Sequence, residues 1–117
     1  MNYDDRAMIA YTVIHYHSHL LTPFERTVWW AFHARWKAEA YGKPDIERRR
    51  RQTWGNLGDP SIDAILDLGY EDFSQKVGER VMRDYEDQVL LNRCPKCNRI
   101  VRTPKARQCM WCYHDWH

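Results

Sequence analysis

All four cysteines of this chain lie in its last 24 residues, CPKCNRIVRTPKARQCMWCYHDWH, as Cys94, Cys97, Cys109 and Cys112. They form two C-x-x-C pairs. A gap of two residues lets the backbone fold back so that both sulfurs of a pair face one point. Two such turns supply the four soft thiolates of a tetrahedral metal site, the chemistry of structural zinc. Four thiolates leave no open position for substrate, so the expected centre is closed and architectural, and its metal binding is folding energy for the tail. An iron centre of the same geometry and a catalytic dithiol are the alternatives. The dithiol needs only one reactive pair, and the βαβ pattern that usually carries one is absent. Eleven residues separate the pairs. Residues 99–102 alternate and are partly β-branched and TPKA can turn, so this stretch is expected to form a tight hairpin. Asn98 falls one residue after the first pair, where left-handed backbone is often needed and Asn tolerates it better than most residues.

The same stretch resembles a zinc ribbon. It is similar to the C-terminal tail of many small, largely uncharacterised bacterial proteins that end C-P-x-C…R-T-P-K-A-x-Q-C-x-x-C…D-W-H. The resemblance covers about 24 of the 117 residues and implies that Cys94, Cys97, Cys109 and Cys112 are zinc ligands. It implies no activity. Such families usually carry Gly after each cysteine pair, where this chain has Asn98 and Tyr113.

Charge divides the chain in the same place. Residues 1–92 carry 12 Lys and Arg against 15 Asp and Glu, a balance of −3, whereas residues 93–117 carry 6 against Asp115 alone, a balance of +5. Within the first part, residues 53–92 hold 9 acids and 3 bases, or −6. This is not the uniform basic excess of a protein built only to coat polyanions. No run of about 18 apolar residues suggests a membrane span. The start, MNYDDRAMIAYTV, has acids where a secretory signal has bases, so the chain is expected to be cytoplasmic, with its thiols reduced.

The elements that must position the tail read as helices. Ile9, Val13, Tyr16 and Leu20 are spaced by three and four, predicting a helix over roughly residues 4–20. In TPFE, Thr22 can cap, Pro23 suits the first helical position and Glu25 can reach back to the cap. Phe24, Val28, Phe32 and Trp36 continue that helix until Gly42 and Pro44 stop it. DPSIDAILDLG repeats the logic, with Asp59 as cap, Ile62, Ile65 and Leu66 as the apolar stripe and Gly69 as the stop. Phe73, Val77, Val81, Tyr85 and Val89 mark a longer helix from about Asp72 to about Leu91. DIERRRRQTWGNLG reads as either a short helix or a polar connection. The expected fold is mainly α: a small antiparallel helical bundle over residues 1–92, followed by a C-terminal zinc ribbon of β-hairpin knuckles over residues 93–117.

Other residue types with chemical potential are weaker signals. His15 and His19 are four apart on the expected first helix, but no third ligand accompanies them and HExxH is absent. His114 and His117 flank the last pair and could compete as ligands. Trp29 and Trp30 lie about 100° apart on one helix, so both cannot be equally buried, and exposed Trp is enriched at interface anchors. Asp63 and Asp67 share a helix face. The run Arg48–Arg51 reads as a solvated face or connection. Arg99, Arg102, Lys105 and Arg107 form the better basic patch, suited to phosphates or to carboxylates. Trp111 and Trp116 could stack on bases or cover the metal site as a small cap.

No phosphate loop, nucleophile elbow or catalytic carboxylate pair stands out, so the chain is not expected to be an enzyme. The expected function is a zinc-binding protein-interaction module, with Trp29, Trp30, Asp63 and Asp67 toward the partner. One concrete case is an immunity or antitoxin-like factor that occludes a basic toxin, attracted by the acidic helices. The alternative is a nucleic-acid-binding ribbon that uses Arg99, Arg102, Lys105 and Arg107.

Overall fold

The computed structural model describes residues 2–41 and 60–117. Gly42, Pro44, the cap expected at Asp59 and the arginine run Arg48–Arg51 lie outside the described residues. Among those described, the chain is mainly helical: α1 (Asp5–Tyr16), α2 (Pro23–Tyr41), α3 (Pro60–Leu68) and α4 (Tyr70–Tyr85). Single 3-10 turns, Ser18–Leu20 and Glu86–Gln88, follow α1 and α4. No β-strand longer than an isolated bridge occurs among the described residues. The chain groups into two compact units, Met1–Leu21 with Ser74–His117, and Thr22–Phe73. Composition places a boundary near residue 92, whereas by proximity the cysteine tail shares a unit with α1 and most of α4.

In the first unit, α1 starts at Asp4, whose carboxylate accepts the backbone N–H groups of Arg6 (3.0 Å) and Ala7 (3.4 Å), satisfying donors the helix itself leaves open. Ala10, Val13 and Ile14 on α1 and Val77 and Val81 on α4 are buried. The two helices approach closely at one place. A Cβ added to Gly78 would lie 3.1 Å from the Cα of Ala10 and 3.3 Å from its nitrogen. Glycine in a helix interior costs about 1 kcal/mol relative to alanine, and here it admits the neighbouring backbone. The Arg6 guanidinium pairs with Glu79, and Arg80 donates to the Leu20 carbonyl at 2.8 Å. Both helices of this unit are shorter than their periodicity predicts. The first ends at Tyr16, where His17 leaves helical geometry (φ −133°), and the imidazole Nε2 of His17 accepts the Leu90 N–H at 3.3 Å. The last ends at Tyr85 rather than near Leu91, because Glu86 and Asp87 place negative charge at the negative end of the helix dipole.

In the second unit the TPFE signal forms as the sequence predicts. Glu25 N–H donates to the Thr22 hydroxyl at 3.1 Å, and Thr22 N–H donates to the Glu25 carboxylate at 2.8 Å. The apolar series beyond it is buried only in the middle: Val28 and Phe32 are core, while Phe24 and Trp36 are exposed. An i+4 row drifts about 40° per step around a helix, so its ends rotate about 120° apart. Phe32 meets the rings of Tyr70 (5.4 Å) and Phe73 (5.5 Å), and Ile62 and Leu66 of α3 are buried. Gly69 joins α3 to α4 with φ +95°; nothing lies within 4 Å of a built Cβ, so the requirement is conformational and not one of space.

Replacing Gly78 by valine is expected to destabilise the protein by about 1–3 kcal/mol, because it forces α1 and α4 apart. Thermal unfolding of Gly78→Val checks this, and an unchanged midpoint would show that the approach at Ala10 is not a constraint.

Candidate metal centre

Each cysteine pair is held by the same short backbone device, used twice. In the first, Arg93 and Ile100 form an antiparallel bridge around Cys94 and Cys97; in the second, Gln108 and Asp115 do so around Cys109 and Cys112. Cys94 N–H donates to the Arg99 carbonyl (2.9 Å) and Cys109 N–H to the His114 carbonyl (2.8 Å). Asn98 N–H returns to the Cys94 carbonyl (2.8 Å) and Tyr113 N–H to the Cys109 carbonyl (3.0 Å). Closing so tight a loop needs left-handed backbone at the residue after each pair, and Asn98 (φ 62°) and Tyr113 (φ 65°) adopt it. The signal read at Asn98 therefore holds at Tyr113 as well, where the position after the cysteine pair and not the residue type carries it. The hairpin expected across residues 98–108 is not what organises the tail. The bridges enclose each pair separately, and Asn92 pins the connection by donating its side-chain amide to the carbonyls of Thr103 (3.0 Å) and Ala106 (2.8 Å).

The two loops bring four sulfurs together. The Sγ atoms of Cys94, Cys97, Cys109 and Cys112 all lie within 4.8 Å of one another, with Cys94–Cys112 and Cys97–Cys109 each at 3.6 Å. A disulfide would put sulfurs about 2.05 Å apart. Metal–sulfur bonds of about 2.3 Å in a tetrahedron separate them by about 3.8 Å. The spacing matches the second arrangement, and no disulfide links these cysteines. Four thiols so close cannot all ionise unaided. Burial pushes the Cys94 thiol up, but the N–H groups of Cys97 and Lys96 and the thiols of Cys112 and Cys97 outweigh it, leaving the group at about 7. Burial also raises Cys109, yet the N–H groups of Cys112 and Trp111 and the neighbouring thiols bring it down. Cys97 moves the other way. The backbone near Arg99 lowers it, but burial and the three surrounding sulfurs prevail and push it up to about 11. A divalent cation would reverse that repulsion and hold all four as thiolates, so the residues present fit a metal.

Cys94, Val101 and Cys109 form a buried cluster against which Trp111 and Trp116 pack. Trp111 donates its indole N–H to the Ile100 carbonyl at 3.0 Å. These two rings thus lie against the cluster that contains two of the four sulfurs. His114 stacks on Trp116, and the His117 ring pairs with Asp115. Neither joins the cluster, and the His15–His19 face is broken because α1 ends between them.

The sequence gives no signal for the clamp that joins the N-terminus to this centre. Arg93 binds the Asp5 carboxylate with both terminal nitrogens (2.8 and 3.3 Å). The Tyr3 hydroxyl donates to Asp5 at 2.6 Å and accepts the Ile100 N–H at 2.9 Å. The Tyr3 ring meets Trp111 edge-on at 5.0 Å and lies under the Arg99 guanidinium at 5.6 Å. Hydrogen bonds from Arg93, then from Tyr3, hold Asp5 below the usual carboxylate range.

The other candidate residues divide between the two units. Arg102, Lys105 and Arg107 are exposed and form no ion pair among the described residues, while Arg99 is engaged with Tyr3. In the second unit, Trp29 is half-buried, with its ring 4.1 Å from that of His33, while Trp30 is 48% exposed. Asp63 is partly buried and Asp67 exposed, one turn apart on α3. Among the described residues no helix is long and apolar enough to cross a membrane. Comparison of the chain with family models, with curated proteins and with solved structures finds no match.

Two outcomes are expected here. Tyr113 is 75% exposed, so Tyr113→Gly removes left-handed strain without losing packing, whereas Tyr113→Val adds strain of about 1–2 kcal/mol; denaturant titration of the metal-loaded variants should rank them in that order. The Asp5 clamp stabilises the fold above the carboxylate's unfolded value of 3.8, and that contribution fades as pH falls through its lowered folded value. The stability difference between wild type and Asp5→Asn should therefore shrink on acidification, measured down to about pH 3.

Proposed function

We propose that this protein is a non-enzymatic zinc-binding interaction module. One zinc ion held by Cys94, Cys97, Cys109 and Cys112 forms a closed, ribbon-like centre that stabilises the tail and, through the Tyr3–Asp5–Arg93 clamp, its own unit. The observation that carries the metal reading is the convergence of four unlinked thiols within 4.8 Å, covered by Trp111 and Trp116. A site made wholly of sulfur leaves no position for a reacting ligand.

The interaction reading is supported by Trp30, nearly half exposed on α2, and by the acidic balance of residues 53–92. A partner with a basic surface would be drawn to those acids and anchored by Trp30, with Trp29, Asp63 and Asp67 contributed by the same compact unit. An immunity or antitoxin-like factor that occludes a basic toxin is the concrete case, acting in the cytoplasm. A second reading is favoured by one observation: Arg102, Lys105 and Arg107 form no ion pair among the described residues. In that reading the tail contacts nucleic-acid phosphates.

Elemental analysis should find one zinc per chain, and Cys97→Ser combined with Cys109→Ser should abolish it and unfold the tail. A folded tail without metal would end the reading. Gel-shift titrations with DNA and RNA at two salt concentrations decide the second question. Weak binding, unchanged in Arg102→Ala/Arg107→Ala, supports the protein-partner reading. Tight binding that falls steeply with salt and is lost in that variant reverses the order.

A further inference from the structure

We propose that the groove between α1 and the cysteine tail is a docking site for an acidic segment of a protein partner that inserts one large apolar side chain. The groove encloses about 250 Å³ and is lined by Met8 and Tyr11 of α1 and by Arg102 and Met110 of the tail. All four residues belong to the same compact unit.

Size selects the kind of occupant. A sealed cavity of about 150 Å³ already takes a benzene ring, and sites that engulf a small molecule run to about 300–1,000 Å³. This hollow is open and falls between those limits, so it takes one aromatic or long aliphatic side chain and no whole cofactor. Its walls suit that use, because two unbranched thioethers adapt to side chains of different shape beside the apolar face of a tyrosine ring.

Charge selects what flanks that side chain. Arg93 is engaged by Asp5, and Arg99 lies over Tyr3. Arg102 is the cation at the groove, exposed and without an ion pair among the described residues, and its planar fork is matched by a carboxylate. Lys105 and Arg107, also exposed and without an ion pair among the described residues, add positive field on the same tail. A phosphate backbone would use the cations but not the apolar hollow; an acidic segment with one apolar residue uses both. The groove also depends on the metal centre, because Met110 stands between two of its cysteines, Cys109 and Cys112.

The proposal rests on the protein being an interaction module, but it uses residues distinct from Trp30. Its test is methyl-carbon NMR of the zinc-loaded full chain, whose four methionines include Met82 as an internal control. The probes are acetylated peptides Asp-Glu-X-Glu-Asp, with X as Leu, Phe or Trp, and a matched set with Lys in place of the acids. The acidic set should shift the Met8 and Met110 methyls saturably and leave Met82 unmoved. Arg102→Glu should weaken binding by about tenfold or more, and chelation of the metal should abolish it. Trp30→Ala should leave these titrations unchanged, so failure of the α2 surface and failure of this groove are separately visible. Absence of shifts with the acidic peptides, equal shifts with the lysine set, binding that survives chelation, or shifts produced instead by oligothymidine would each overturn the proposal.

Discussion

Four sulfur atoms held within 4.8 Å of one another set the conditions for the rest of the tail. The backbone near Arg99 lowers Cys97, but burial and then the neighbouring sulfurs drive it up to about 11. Burial raises Cys94, but backbone N–H groups and then the neighbouring thiols bring it to about 7. A cation at their centre would convert the repulsion between thiolates into attraction. The tail has little else to hold it. It contains two isolated bridges, and its buried cluster is built from cysteines, Val101 and the rings that cover them. A segment of about 25 residues cannot bury enough apolar surface to fold alone, so a metal or a neighbouring element must contribute.

Both kinds of support are provided for. The knuckles present their backbone N–H groups to sulfur: Lys96 and Cys97 toward Cys94, Trp111 and Cys112 toward Cys109. These bonds orient the Cys94 and Cys109 sulfurs and favour their charged form. The N-terminus adds a second fastening, in which Asp5 receives Arg93 and Tyr3 while the Tyr3 ring closes on Trp111. The consequence is that α1 and the tail form one compact unit although nearly the whole chain separates them in sequence. This coupling gives the proposed groove two walls from opposite ends of the polypeptide.

Charge is likewise divided by use. Some cations of the tail hold the structure together: Arg93 in the clamp and Arg99 over an aromatic face. Others, Arg102, Lys105 and Arg107, stay in solvent. Counting charges along the chain cannot separate the two groups, since all belong to the same +5 segment. The tryptophans divide in the same way, with Trp111 spent on covering sulfur and Trp30 left nearly half exposed.

What the sequence alone determined is local. Cysteine spacing is read by turns of a few residues, the TPFE cap by its own four, and the stop at Gly69 by one φ angle, so these were legible. The ends of α1 and α4 were less so, because periodicity carries on past His17 and Tyr85 while caps and dipoles do not. Tertiary structure decided the rest. It set which ends of the Phe24–Trp36 row rotate out of the core, that Gly78 faces Ala10, and that Tyr3 and Asp5 meet Arg93 and Ile100. The physical reason is common to all of these. A contact between residues nearly 90 positions apart depends on where whole elements settle, and no short-range propensity encodes that.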